Sequence, residues 1–187
     1  MKKHYQIIAD PKAIRRWFLM APCDQAGQEI DPRVFTNGTA YDGPKPVRAP
    51  LRRRGDPVDF NFGAFDYIVV THVLGTALTK LQNGLAQRFP ITIEAYGDGY
   101  EIFNLLNVVD CFDEARSEFT RWGPNDIRPD KIGQLCSVLT LRVDISKTAG
   151  CELFRLAGWP IAVIASERVK SLFEDSEVTG VAFQEVG

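Results

Sequence analysis

The sequence predicts an α+β fold, a mostly antiparallel sheet with a few short helices packed on it. Three observations carry that expectation. Ile91–Tyr96 and Tyr100–Phe103 are β-branched and aromatic runs that flank Gly97-Asp98-Gly99, the residue chemistry of a hairpin. Leu139, Leu141, Val143 and Ile145 alternate with Thr140, Arg142 and Asp144, the period of a strand with one face in water. Long stretches of 3.6-residue apolar period are absent, which argues against a helical bundle.

In chain order, Tyr5-Gln6-Ile7-Ile8 reads first, as a short strand. Asp10-Pro11 then offers N-cap and first-turn chemistry, and Ile14, Trp17 and Phe18 at i, i+3, i+4 predict a short helix. Residues 37–57 hold Pro44, Pro46, Pro50 and Pro57 with Gly38, Gly43 and Gly55, so they read as a loop or edge excursion. Asp66–Val70 is a buried strand by composition, and Thr71 caps a helix with Val73, Leu74, Ala77, Leu78 and Leu81 inward. Asp113 is placed to N-cap a further helix through Glu114, Arg116 and Phe119. Ile161–Ile164 is a strand, and Ser166 caps a helix with Val169, Leu172 and Phe173 inward. Gly180 then turns the chain into Val181-Ala182-Phe183. The spacings Thr71-x-x-Leu74-x-x-x-Leu78 and Ser166-x-x-Val169-x-x-x-Phe173 match, a strand–cap–helix unit used twice. A boundary near Gly63 separates an irregular N-terminal lobe, residues 1–65, within the same domain or semi-separate, from an α+β core, residues 66–187.

Composition narrows the class. With 187 residues, 45% hydrophobic and 25% charged, the chain matches a soluble globular protein and excludes collagen-like, disordered and coiled-coil readings. No apolar run approaches the ~18 residues a bilayer span needs. Met1-Lys2-Lys3 starts like a signal peptide, but Asp10, Lys12, Arg15 and Arg16 break any apolar stretch after it, and Pro22 spoils a lipoprotein reading at Cys23. The chain therefore reads as cytoplasmic. Cys23, Cys111, Cys136 and Cys151 are scattered, with no C-x-x-C pair, and read as buried free thiols. The net charge of −2 is split: residues 1–95 carry 13 Lys and Arg against 9 Asp and Glu, whereas residues 96–187 carry 9 against 15. Such a dipole can steer a charged partner but does not announce nucleic acid.

No catalytic set assembles. His4 and His72 are the two histidines, and neither a G-x-S-x-G elbow nor a phosphate-binding G-x-x-x-x-G-K-[ST] loop occurs. The strongest enzymatic constellation is Asp110, Asp113 and Glu114 with His72, carboxylates that share a face if the segment is helical and could hold a divalent cation in a metal-dependent hydrolase. Capping by Asp113 is the simpler account of the same residues. Arg48, Arg52, Arg53 and Arg54 form the one strong basic cluster, and Arg52–Arg54 carry the nucleic-acid alternative. Nucleic acid is disfavoured because no aromatic ladder accompanies them.

Two stretches resemble a known family. Asn107–Glu118 is similar to a V-hydrophobic-D-x-hydrophobic-D-x-x-x-S core, and Leu153-Phe154-Arg155-Leu156, Ser166-Glu167-Arg168 and Val178–Phe183 are similar to its closing motif. The family is that of bacterial polymorphic-toxin immunity proteins named for a myxobacterial member, formerly a domain of unknown function. The pattern runs from about residue 66 to 187. The resemblance implies an inhibitor encoded beside a secreted antibacterial toxin, protecting the producer or its kin, with a cognate toxin domain as partner. It implies no catalytic residue, metal or cofactor. Self-association is left open, and a membrane partner is not expected.

Recognition should fall on irregular charged surface rather than on core strands. Two segments qualify: the Arg48–Arg54 loop and the Asp113–Trp122 stretch. Inhibitors of enzymes with basic clefts present carboxylates to them, so Asp113, Glu114, Glu118 and Trp122 are the first candidates and Arg52, Arg53 and Arg54 the second. Trp122, beside the Gly123-Pro124 turn, should be the most exposed of the three tryptophans.

Overall fold

The computed structural model describes residues 3–82 and 84–187. The chain opens with strand β1 (His4–Ala9), then the two-residue strands β2 (Phe18–Leu19) and β3 (Cys23–Asp24). A 3-10 turn at Pro32–Phe35 begins where the Asp31 side chain accepts the Arg33 N–H. Strands β4 (Pro46–Ala49), β5 (Leu51–Arg53) and β6 (Phe60–Phe62) come next, then a second 3-10 turn at Ala64–Asp66, strand β7 (Ile68–Thr71) and helix α1 (His72–Leu81). The hairpin β8 (Ala86–Ile93) and β9 (Gly97–Leu105) leads to β10 (Val108–Val109), β11 (Glu118–Arg121) and β12 (Leu135–Thr140). Strands β13 (Leu153–Leu156) and β14 (Trp159–Ser166), helix α2 (Glu167–Asp175) and strand β15 (Val181–Glu185) complete the order.

These elements make a five-stranded sheet, β10-β13-β14-β1-β15, and a six-stranded sheet, β3-β4-β8-β9-β7-β6, with two small ribbons, β2–β5 and β11–β12. The α+β expectation holds, but both large sheets are mixed. Each contains one parallel pair, β10–β13 in the first and β4–β8 in the second. Strand β1 lies between β14 and β15, and β4 joins the six-stranded sheet, so residues before Gly63 supply strands to both.

Both sheets are buried on both faces, which explains their continuous apolar runs. Ile68 and Val70 of β7, with Val163 and Ala165 of β14, enter a core shared by the sheets and helices, alongside Leu74, Leu78, Val169 and Phe173. The other face of β7 presents Val69, with Tyr67 just before the strand, to a second core with Trp17, Phe35 and Ile102. The other face of β14 presents Ala162 and Ile164 to a third, with Cys111, Val143 and Phe154. Both caps form as the sequence implies: Thr71 Oγ1 accepts the Leu74 N–H and Ser166 Oγ accepts the Val169 N–H. Ser166→Ala should therefore lower stability by about 1 kcal/mol, read as a lower urea midpoint with unchanged slope.

Several expectations are corrected. Residues 10–17 form turns in place of the expected helix. The Asp10 carboxylate accepts the Lys12 N–H in a tight turn, Trp17 N–H bonds Asp56 O, and Ile14 is left 78% exposed. Long-range pairing to residues 53–56 overrides the local helical spacing. The proline-rich stretch is not only loop, since Pro46 opens β4 and Pro50 falls between β4 and β5, positions where a strand tolerates proline. Val73 is 79% exposed and is not part of the buried helix face. The hairpin reverses at Glu94–Tyr96, and Gly97 pairs with Ile93 inside the ladder. The strand expected at 139–145 is displaced: β12 ends at Thr140, Leu139 is 79% exposed, and Ile145–Lys147 is a 3-10 turn capped by Asp144. Asp113 does accept the Arg116 N–H, but the turn leads into β11, not a helix. Ser117 and Arg142 exchange hydrogen bonds there and draw the chain into extended pairing.

Candidate functional site

The Asn107–Glu118 segment acts as a root for the β11–β12 ribbon. Asp113 N–H bonds Arg142 O, the Arg116 guanidinium bridges Asp113 and Val143 O, and Phe112 bridges Val143. Arg116 holds the Asp113 carboxyl below the usual carboxylate range, chiefly through the side-chain hydrogen bond. From this root the ribbon and its 122–134 loop form a separate two-stranded unit, edge-on to neither large sheet. Along it Ile127 is 90% exposed, and Leu139 and Ile132 are exposed as well.

Asp113, Glu114, Glu118 and Trp122 are thus brought together on the ribbon and its root, but two of the three carboxylates are paired with arginines. Glu114 pairs with Arg121 at 2.6 Å, Asp113 with Arg116 at 2.6 Å, and Glu118 accepts from the Thr140 hydroxyl at 3.1 Å. Trp122 is half-buried, with the Lys131 ammonium 6.0 Å from its ring. The ribbon offers apolar tips among paired charges rather than a bare acidic face.

Arg52 and Arg53 lie on β5 and Arg54 just after it, on the other ribbon. Arg53 and Arg16 both place their guanidiniums over the Phe18 ring, at 4.5 and 4.8 Å. Arg52 and Arg54 are exposed, with no hydrogen bond or ion pair among the described residues.

A row of three clefts links the two candidate segments. The first, about 500 Å³, is lined by Arg16, Arg52 and Phe65. The second, about 540 Å³, shares Phe65, Asp66 and Ile161 with it and reaches Lys131 and Trp159. The third, about 460 Å³, shares Gln134, Leu135 and Gly158 with the second and ends at Asp110, Glu114 and Arg121. Sequence reasoning missed the ridge of this row. Phe65 is 57% exposed at a left-handed φ of 54°, and Ile161, read as a core strand residue, is exposed at the start of β14. No periodic signal marks either one. Ile127, hidden among turn residues, gave none either.

Behind the ridge sits Arg155, fully buried. Its guanidinium donates to Pro160 O at 2.7 Å, Asp66 O at 3.2 Å and Phe35 O at 3.5 Å. It fastens both 3-10 turns of the N-terminal stretch to the five-stranded sheet. Burial lowers its pKa to about 10, and also raises that of Asp66, with the two charges opposing both shifts.

Burial, with Asp110 and Asp144 adding, pushes the Cys111 thiol up to about 12, so it is a poor nucleophile. Among the described residues no group of three or more His, Cys, Asp and Glu is placed to hold a metal ion, and Asp113 is occupied by Arg116. His72 instead joins an ion-paired cluster in which the buried Glu101 carboxylate is held by Arg88 at 2.5 and 3.0 Å and lies 3.2 Å from His72 Nδ1. Among the described residues no helix is long and apolar enough to cross a membrane.

The model of an immunity protein family, Imm11, matches residues 6–187, so the likeness extends through the N-terminal stretch as well. No curated protein matches the chain.

Proposed function

Because the chain belongs to the Imm11 immunity protein family, we propose that it is a cytoplasmic inhibitor that binds and neutralises a cognate secreted antibacterial toxin, without catalysis of its own. The family match over residues 6–187 carries this reading. Residues 1–65 and 66–187 act in it as one binding body. The toxin-facing surface is the β11–β12 ribbon, with Glu114, Glu118 and Trp122 on it and Asp113 positioning its root. What supports this choice is the exposure of Ile127, Ile132 and Leu139 beside a half-buried tryptophan. Apolar tips among charged residues suit an interface that buries about 1,200–2,000 Å².

The test is co-expression with the toxin domain encoded in the adjoining reading frame. Wild type should restore growth, and a strain lacking it should not survive beside toxin-producing kin. Glu114→Lys with Glu118→Lys should slow association about ten-fold at low salt while leaving the thermal midpoint unchanged, since both side chains are exposed. A double variant that folds normally and protects as well as wild type sinks the ribbon assignment.

A further inference from the structure

The cleft lined by Arg16 and Arg52 holds a charge arrangement that the fold itself leaves uncompensated. Arg16, Arg52, Arg53 and Arg54 gather on and beside the β2–β5 ribbon, and among the described residues none of them pairs with a carboxylate. Arg16 donates to Asn61 Oδ1 at 2.6 Å, and Arg53 donates to the Ile14 and Arg16 carbonyls. Burial and the nearby Arg53 charge both lower the Arg16 pKa. Several other surface arginines do have carboxylate partners: Arg15 with Asp56, Arg33 with Asp31, Arg121 with Glu114 and Arg128 with Asp130. Arg16 and Arg53 repel one another, Arg52 lines the cleft with Arg16, and none of the three has a carboxylate partner among the described residues, so the cleft suits a counter-charge from outside.

The walls say what kind of anion fits. Met20, Phe65 and Ile161 are exposed apolar side chains lining the same cleft, and Asp66 is its one acidic side chain. Phe18, the aromatic nearest the arginines, already has two guanidiniums over its ring, so it offers no free platform on which a base could stack. An extended phosphate backbone needs a basic track, whereas the lining of this cleft offers it two arginines and the Asp66 carboxylate. A short loop with carboxylates at its sides and an apolar residue at its tip satisfies both the rim and the walls.

We propose that this cleft is a second toxin contact, receiving an acidic, apolar-tipped loop of the toxin between the Arg16/Arg52 rim and the Phe65–Ile161 ridge. The proposal rests on the immunity reading and is separable from it. Isotope-labelled full-length protein is titrated to millimolar concentrations with a hexapeptide of two apolar residues between two pairs of glutamates. Its lysine counterpart and a dodecathymidylate serve as comparators. The acidic peptide should shift the signals of Arg16, Met20, Arg52, Phe65 and Ile161, and Arg52→Glu with Arg54→Glu should abolish those shifts. Both arginines are exposed and unpaired, so the variant keeps its fold, checked by circular dichroism. No shifts at the cleft, equal shifts with the lysine peptide, or tighter binding of the oligonucleotide there would overturn it. In the protection assay the same double variant should lose at least ten-fold in toxin tolerance. If wild type protects and the variant protects equally, the cleft proposal fails. If wild type gives no protection, the immunity reading fails, and the peptide titration alone decides the cleft.

Discussion

Arg155→Met should destabilise the protein by about 2–5 kcal/mol. Its three carbonyl acceptors would lose their donor, the one at Phe35 in a buried setting and those at Pro160 and Asp66 in part-buried ones. Methionine also relieves a desolvation penalty, since burial is what lowers the arginine's pKa to about 10. The net loss is therefore smaller than the sum of three charged hydrogen bonds, yet it does not vanish, because the acceptors belong to the backbone and cannot be removed with the side chain. Arg155→Lys should recover little, since a point charge cannot reach three carbonyls set around a planar fork. The loss should be local as well as global. Both 3-10 turns, Pro32–Phe35 and Ala64–Asp66, lose their tie to the five-stranded sheet, so limited proteolysis should begin in residues 10–66 before the rest unfolds. A Met variant with unchanged urea midpoint and proteolysis pattern would show that the tie is dispensable.

That arginine also shows what the sequence could reveal. It stands in the stretch through which the family likeness runs, together with Ser166 and Gly180. Each of the three serves the fold: Arg155 as the buried tie, Ser166 as an N-cap, and Gly180 at φ 96°, where a Cβ would lie 2.3 Å from Phe60 O. Asp113 and Ser117, in the other motif, root the ribbon in the same way. The motifs are legible because caps, tight turns and buried ties impose residue types locally. The helices after Thr71 and Ser166 and the hairpin at 91–103 were legible for the same reason.

What was not legible depends on partners far along the chain. Trp17 bonds its backbone to Asp56, β4 pairs in parallel with β8, and Arg52 meets Phe65 and Ile161 across a cleft. No local spacing encodes those encounters. The candidate site suffered most. Its charged members were found by composition, but the intramolecular pairing of Glu114 with Arg121 and the lack of it at Arg52 are visible only in three dimensions. The motif residues Arg155, Ser166 and Gly180 serve the fold, whereas the surface proposed to meet the toxin is made mostly of exposed side chains.

Gly75→Ala should be destabilising by about 2–4 kcal/mol, against the usual direction for a helix interior. Alanine for glycine there ordinarily stabilises by about 1 kcal/mol. Here a Cβ would lie 1.8 Å from Glu101 Oε1 and 3.2 Å from Arg88 Nε. The carboxylate cannot swing away cheaply. It is 1% exposed, and Arg88 grips both its oxygens, with His72 on one side. Either α1 lifts from β9 or a buried carboxylate loses its guanidinium, and both outcomes strip packing from the core shared by Leu74 and Leu78. The sign isolates the cause. In a Glu101→Ala background the clash has no partner, so Gly75→Ala should turn neutral or stabilising, by up to about 1 kcal/mol. A double-mutant cycle by urea denaturation measures this directly. If Gly75→Ala stabilises the wild-type chain, then α1 does not pack on the Glu101–Arg88 pair as closely as the glycine allows, and the ion pair is not what fixes the helix on the sheet.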